Sequence, residues 1–141
     1  PGTGDAQISL SQLVSLSGAV MVTTPQEVAV ADVRRAVNMF SKVDVPVFGV
    51  IENMAGLKLP TGEVINVFGE GGGKRLCEDY GLDFLGAIPL DTTIREGGDC
   101  GEPIALKPES KAATIFAQIA EKLASKLEAS RKGRAKLSVV K

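Results

Sequence analysis

The sequence predicts an α/β fold, a parallel sheet flanked by helices on both faces. Three observations carry this. The short apolar runs at 18–24 (GAVMVTT), 46–52 (PVFGVIE) and 83–88 (DFLGAI) are bounded by Gly, Pro and polar residues, the pattern of strands buried within a sheet. Between the first two lies a segment of helical periodicity and crossover length. Residues 18–52 therefore read as a β-α-β unit, which is right-handed and builds parallel sheets. The long segment 107–130 places Ala112, Ile115, Phe116, Ile119, Ala120, Leu123 and Leu127 at helical spacing, an apolar stripe able to cover such a sheet.

Length and composition narrow the function classes. The chain has 141 residues, enough for one domain or part of one, with 44% hydrophobic and 23% charged residues, ordinary for a globular core. It contains no His, which excludes His-based triads and His-ligated zinc within it. Cys77 and Cys100 form no Cys-x-x-Cys pair, so they read as free thiols in a reducing, cytoplasmic setting. A targeting segment upstream of Pro1 would shift that expectation to an organellar matrix. No apolar run approaches the ~18 residues of a membrane span. Arg131, Lys132, Arg134, Lys136 and Lys141 put five cations in a tail without an acid; removing them from the 16 basic residues leaves 11 against 17 acidic, a net of −6. The reading is a domain over 1–130 and a disordered, solubilising tail over 131–141. Contact of that tail with nucleic acid or an anionic membrane is the alternative; no nucleic-acid partner is expected.

Taken in order, the chain opens on Pro1-Gly2-Thr3-Gly4-Asp5. Two glycines free the backbone, and Asp5 suits the cap of a short helix over 6–16. Free N–H groups at a helix start favour an anion such as phosphate; a plain surface turn is the other reading. After the strand at 18–24, Thr24 is placed to cap the next helix, with Pro25 at its first position and Glu27 in its first turn. Val28, Ala31, Val33, Ala36, Val37 and Phe40 form its apolar stripe, with Asp32, Arg34 and Arg35 on the wet face. Residues 55–68 alternate around Pro60-Thr61-Gly62 and predict a small hairpin. Residues 69–73 read as a turn, and 74–80 as a helix that Gly81 stops. A helical turn at 91–95 follows the strand at 83–88, and the last helix starts near Pro108.

Ligands of parallel α/β sheets bind beyond the C-terminal ends of the strands. That places Thr23, Thr24, Glu52 and Asn53 on the binding edge. The Asn53 amide offers a donor and an acceptor, as an adenine edge does; an ordinary Asn turn fits equally. The run Gly69-Glu70-Gly71-Gly72-Gly73-Lys74-Arg75 is not a phosphate-binding P-loop. That motif needs Gly, four residues, then Gly-Lys and a hydroxyl, but position 68 is Phe and position 75 is Arg. No dinucleotide fingerprint follows a strand either.

Five motifs stand in register: Pro1-Gly2-Thr3-Gly4-Asp5-Ala6-Gln7; Thr23-Thr24-Pro25-Gln26; Glu52-Asn53-Met54; Phe68-Gly69-Glu70-Gly71-Gly72-Gly73; and Ile88-Pro89-Leu90-Asp91-Thr92-Thr93-Ile94-Arg95-Glu96-Gly97-Gly98-Asp99. Over Pro1 to about residue 125 the chain resembles the Mrp/ApbC family of P-loop ATPases, relatives of the ParA/MinD group that carry iron–sulfur clusters. The resemblance implies a P-loop NTPase fold whose first strands, Mg²⁺-binding hydroxyl and P-loop Lys lie upstream of Pro1. It implies ATP, or ADP, as ligand with Mg²⁺, a homodimer, and iron–sulfur client or scaffold proteins as partners. Gly2, Thr3, Gly4 and Asp5 match the switch that senses the γ-phosphate. Asn53 matches the residue of adenine recognition, Pro89, Leu90 and Asp91 the segment against the base, and Arg95 follows on the same edge.

The chain departs from the family at one place. Cluster-carrying members place a Cys-x-x-Cys between the Asn-Met pair and the Phe-Gly run, and residues 55–67 here contain no cysteine. No metal ligand is assigned, with Cys77 and Cys100 only as weak candidates. Cys77 reads as a small buried apolar residue and Cys100 as an exposed residue of a Gly-rich loop. Two alternatives to an iron–sulfur role stay open: a cluster-free nucleotide switch of the MinD/ParA type that gates a protein partner, and a non-catalytic fragment.

Overall fold

A computed structural model describes residues 5–137 of the chain. The elements are α1 (Asp5–Leu13), β1 (Ala19–Thr23), α2 (Glu27–Lys42), β2 (Val47–Asn53), β3 (Leu57–Lys58), β4 (Val64–Ile65), α3 (Gly72–Tyr80), β5 (Phe84–Ile88), α4 (Thr92–Asp99), a 3-10 turn (Ile104–Leu106) and α5 (Lys111–Leu137). Strands β1, β2 and β5 form a parallel sheet in the order β1-β2-β5, and β3 and β4 a separate antiparallel pair.

Alternation along the strands splits the core into two layers. On one face Met21, Val50, Val30, Ala36, Val37, Leu76 and Cys77 pack β1 and β2 against α2 and α3. On the other, Leu85, Ile88 and Ile119 gather Val20, Ile51, Ile94, Ile115 and Phe116 beneath α5 and α4. The β2–β5 register runs Val50↔Phe84 and then Ile51↔Gly86, so Leu85 is an extra residue in β5. Lys122 of α5 donates to the Leu85 carbonyl at 2.8 Å, and Lys126 pairs with Asp83. These lysines cover the outer edge of β5. Among the described residues no strand flanks the outer edge of β1, where Val22 is 54% exposed.

Several element boundaries differ from the sequence reading. Helix α2 is capped by Gln26 without a side-chain bond, and Thr24 does not cap it. Pro25 is fully buried before the helix and packs on α3 instead. Helix α3 starts at Gly72, two residues early, because Gly71 adopts the left-handed conformation (φ 70°) that opens it. Helix α4 spans eight residues, longer than one turn, with the Asp91 carboxylate accepting from Thr93 N–H at 2.8 Å and its hydroxyl at 2.7 Å. The start of α5 lies beyond Pro108, where the Ser110 hydroxyl oxygen accepts from Ala112 N–H at 3.2 Å. Its far end continues to Leu137, past residue 131, where the sequence reading begins a disordered tail. Gly81 ends α3 in a left-handed conformation, as expected.

Candidate functional site

Strands β2 and β5 deliver two adjacent backbone ends to the C-terminal edge of the sheet. Asn53 pairs with Ile88, the residue before Pro89-Leu90-Asp91. Both ends are held firmly. The buried Glu52 carboxylate accepts from Gly73 N–H at 2.6 Å, tying the end of β2 to the N-terminus of α3. Ala55 N–H donates to Ile88 O and Leu90 N–H to Gly56 O, each at 2.9 Å, lacing the two exits together. Met54 turns the chain with φ 56°, a conformation non-glycine residues rarely adopt. Its N–H donates to Asn53 Oδ1 at 2.9 Å. This bond engages the Asn53 acceptor and fixes the amide, leaving Nδ2 as its free donor.

A pocket of about 340 Å³ lies on the α5 side of this edge. Leu57 and Lys58, residues 89–92, and Lys111, Ala112 and Ile115 line it. Its size falls in the range of small-molecule sites, roughly 300–1,000 Å³. Asn53 follows Ile51 in alternation onto the same side of the sheet. A second cleft of about 500 Å³ opens on the α3 side, between Glu52, Asn66, Glu70, Lys74 and Arg75. Its floor is the engaged Glu52 carboxylate. The aliphatic walls suited to a flat ring belong to the first pocket, in Leu57, Pro89, Leu90 and Ile115.

Asn53, Pro89, Leu90 and Asp91 thus come together on one edge. Arg95 is turned along α4, where it pairs with Asp99 at 2.6 Å and Glu96 at 3.2 Å. Gly2, Thr3 and Gly4 lie outside the described residues, and Asp5 is the first residue of α1. Sequence reasoning missed Leu57, Lys58 and Lys111. The signal for Lys111 was there, since the apolar stripe of α5 begins beside it and must cover the end of β5.

One chain supplies two cysteines, fewer than the four thiolates of a 4Fe–4S cluster. Among the described residues no group of three or more His, Cys, Asp or Glu could hold a metal. Residues 55–67, where the resemblance implies cluster cysteines, form the β3–β4 hairpin without one. Cys77 is buried in the α2/α3 layer, and Cys100 is exposed at the C-terminus of α4 on the opposite face. The sheet therefore separates the two thiols. Burial pushes the Cys77 thiol above its ordinary range, and the charges of Asp83 and Glu78 add to this. No helix among the described residues is long and apolar enough to cross a membrane.

A parallel sheet between helical layers, with its pocket at the strand ends, defines the class of nucleotide-binding α/β proteins. Residues 1–124 match the family described as ParA: NUBPL iron-transfer P-loop NTPase, and the chain belongs to it. It is 50% identical over 129 residues to an iron–sulfur cluster carrier protein of Pyrococcus furiosus, covering 91% of this chain and 44% of the relative. It is 45% identical over 130 residues to the iron–sulfur cluster transfer protein NUBPL of Dictyostelium discoideum, covering 91% and 40%. The chain thus spans less than half the length of these relatives. Among solved structures, a nucleotide-binding protein from Archaeoglobus fulgidus in complex with ADP superposes with a TM-score of 0.64 at 38% identity, over 72% of this chain and 42% of that one. The cell division ATPase MinD of Pyrococcus furiosus superposes at 0.66 with 24% identity, over 86% and 48%, and shares the fold.

Proposed function

We propose that this chain is the base-binding part of an ATP-dependent iron–sulfur cluster carrier. The observation that carries the reading is the juxtaposition of Asn53 with Pro89, Leu90 and Asp91 beside the 340 Å³ pocket. The base lies against Pro89 and Leu90, and Asn53 Nδ2 donates to one of its ring acceptors. Asp91 shapes the pocket rim through its cap of α4. The ADP bound by the Archaeoglobus relative supports a nucleotide here, and the relatives' names support cluster transfer to client proteins. Phosphate binding, Mg²⁺ and hydrolysis of ATP fall to residues beyond this chain, with residues 2–5 as the γ-phosphate switch. The intact protein acts as a homodimer in a reducing compartment. Its cluster is cargo, held by thiolates other than a Cys77/Cys100 pair.

Calorimetric titration of the full-length protein with ADP tests this reading. Asn53→Ala is expected to weaken binding by about tenfold, the loss of one well-placed hydrogen bond of roughly 1.4 kcal/mol. Unchanged affinity would place the base elsewhere.

A further inference from the structure

The β3–β4 hairpin pairs only with itself among the described strands. Its attachment to the rest of the chain is nevertheless specific. The stem bonds, Ala55 N–H to Ile88 O and Leu90 N–H to Gly56 O, both end on the segment that lines the pocket. Leu57 and Lys58 follow the stem directly and form the pocket wall facing residues 89–92 and the start of α5. The stem has little slack. Gly56 is buried at φ +77°, and a Cβ there would meet Val64 Cγ1 at 2.8 Å. Leu57 pairs with Ile65 and Lys58 with Val64, so a shift of the wall carries β4 with it. Lys58 forms no ion pair among the described residues. An ammonium at the rim of an apolar pocket suits a ligand that presents ring-nitrogen or carbonyl acceptors, as purine edges do.

We propose that the hairpin is a ligand-contacting wall of the nucleotide site, with Lys58 as the contacting residue. Occupancy of the pocket and the position of the hairpin are then coupled. The proposal rests on the base-seat reading above and extends it to residues that the family motifs do not include. Linkage requires the coupling to be reciprocal: a nucleotide that steadies the hairpin is bound less tightly when the contact is removed. Strand β4, paired to that wall and with Val64 56% and Ile65 42% exposed, is the element that would transmit the change.

The test uses the full-length protein and ADP. Calorimetry on wild type, Lys58→Ala, Lys58→Arg and Asn53→Ala is combined with amide hydrogen exchange. ADP is expected to slow exchange at Leu59 and Gly62, whose N–H groups bond to Glu63 O at 2.8 Å and Leu59 O at 2.9 Å. Lys58→Ala is expected to weaken ADP about three- to tenfold, in the range of one hydrogen bond, and to abolish that slowing. Lys58→Arg should restore much of both. Wild-type affinity in Lys58→Ala with Asn53→Ala impaired would overturn the hairpin proposal alone. Hairpin exchange indifferent to ADP in a wild-type protein that binds it would do the same. Wild-type affinity in Asn53→Ala would remove the base-seat reading, and the hairpin proposal with it.

Discussion

Gly72→Ala should be among the most destabilising single-methyl changes in the chain. A Cβ on Gly72 would lie 2.9 Å from both the Pro25 carbonyl carbon and Val30 Cγ2, and closer still to the Pro25 carbonyl oxygen. Two of these are backbone atoms, and Pro25 and Val30 are fully buried. Carbon atoms sit comfortably at about 3.5–4.0 Å, so the start of α3 must retreat by on the order of 1 Å. Overpacking of this kind costs about 1–3 kcal/mol. The retreat also stretches the 2.6 Å bond from Gly73 N–H to the buried Glu52 carboxylate, a charged-group bond worth roughly 1.5–3 kcal/mol. Against this, Ala gains less than ~1 kcal/mol of helix propensity, since Gly72 is the first helical residue rather than an interior one. The net expectation is a loss of about 3 kcal/mol, read as a lowered urea midpoint of the full-length protein at unchanged slope. ADP affinity should fall as well, because Glu52 anchors the strand end that carries Asn53. Gly98→Ala is the control: a Cβ there meets nothing within 4 Å, so it should be neutral or stabilising by up to ~1 kcal/mol. A Gly72→Ala protein as stable as wild type would refute the close-packing argument.

Three further outcomes are expected. Asp91→Ala removes both bonds at the start of α4 and should cost about 1 kcal/mol, measured by thermal melting; an unchanged melt would mean that water replaces the cap. Cys100 should react with iodoacetamide far faster than Cys77, since Cys77 is buried with its thiol pushed up. That raised pKa stabilises the fold below the ordinary thiol range. The stabilisation is lost as pH rises from that range through the folded value, so the urea midpoint should decline there, and Cys77→Ala should flatten the decline. The 141-residue chain on its own should self-associate or aggregate, because among the described residues the outer edge of β1, beside the exposed Val22, has no strand partner; a monodisperse monomer by light scattering would contradict this.

Much of the fold was legible because its signals are local. Apolar runs bounded by turn residues marked β1, β2 and β5, and the intervening periodic segment marked α2. The C-terminal edge followed from parallel topology, which placed Asn53 on it, while residues 89–91 were joined to it by the family resemblance. The boundaries that moved were set by contacts distant in sequence. Pro25 leaves the helix start because Gly72, 47 positions on, packs against it. The extra residue Leu85 is compatible with the strand pattern, and its carbonyl finds its partner in Lys122 of α5. Lys58 carries no motif, and only the fold of the hairpin brings it to the pocket.

The hairpin also changes how the missing cysteines are understood. If residues 55–67 served only to present thiolates, their loss would leave a loop free to drift. Instead the stem keeps two backbone bonds to the pocket segment, a tightly packed Gly56 and a paired register, while Pro60-Thr61-Gly62 occupies the tip. Cys77 and Cys100 offer no substitute pair, because the sheet stands between them and only Cys100 reaches solvent. These attachments are what the proposed mechanical task of the hairpin requires. Under the wall proposal, nucleotide contact at Lys58 and the exposed Val64 and Ile65 of the paired strand β4 are the two ends of that task.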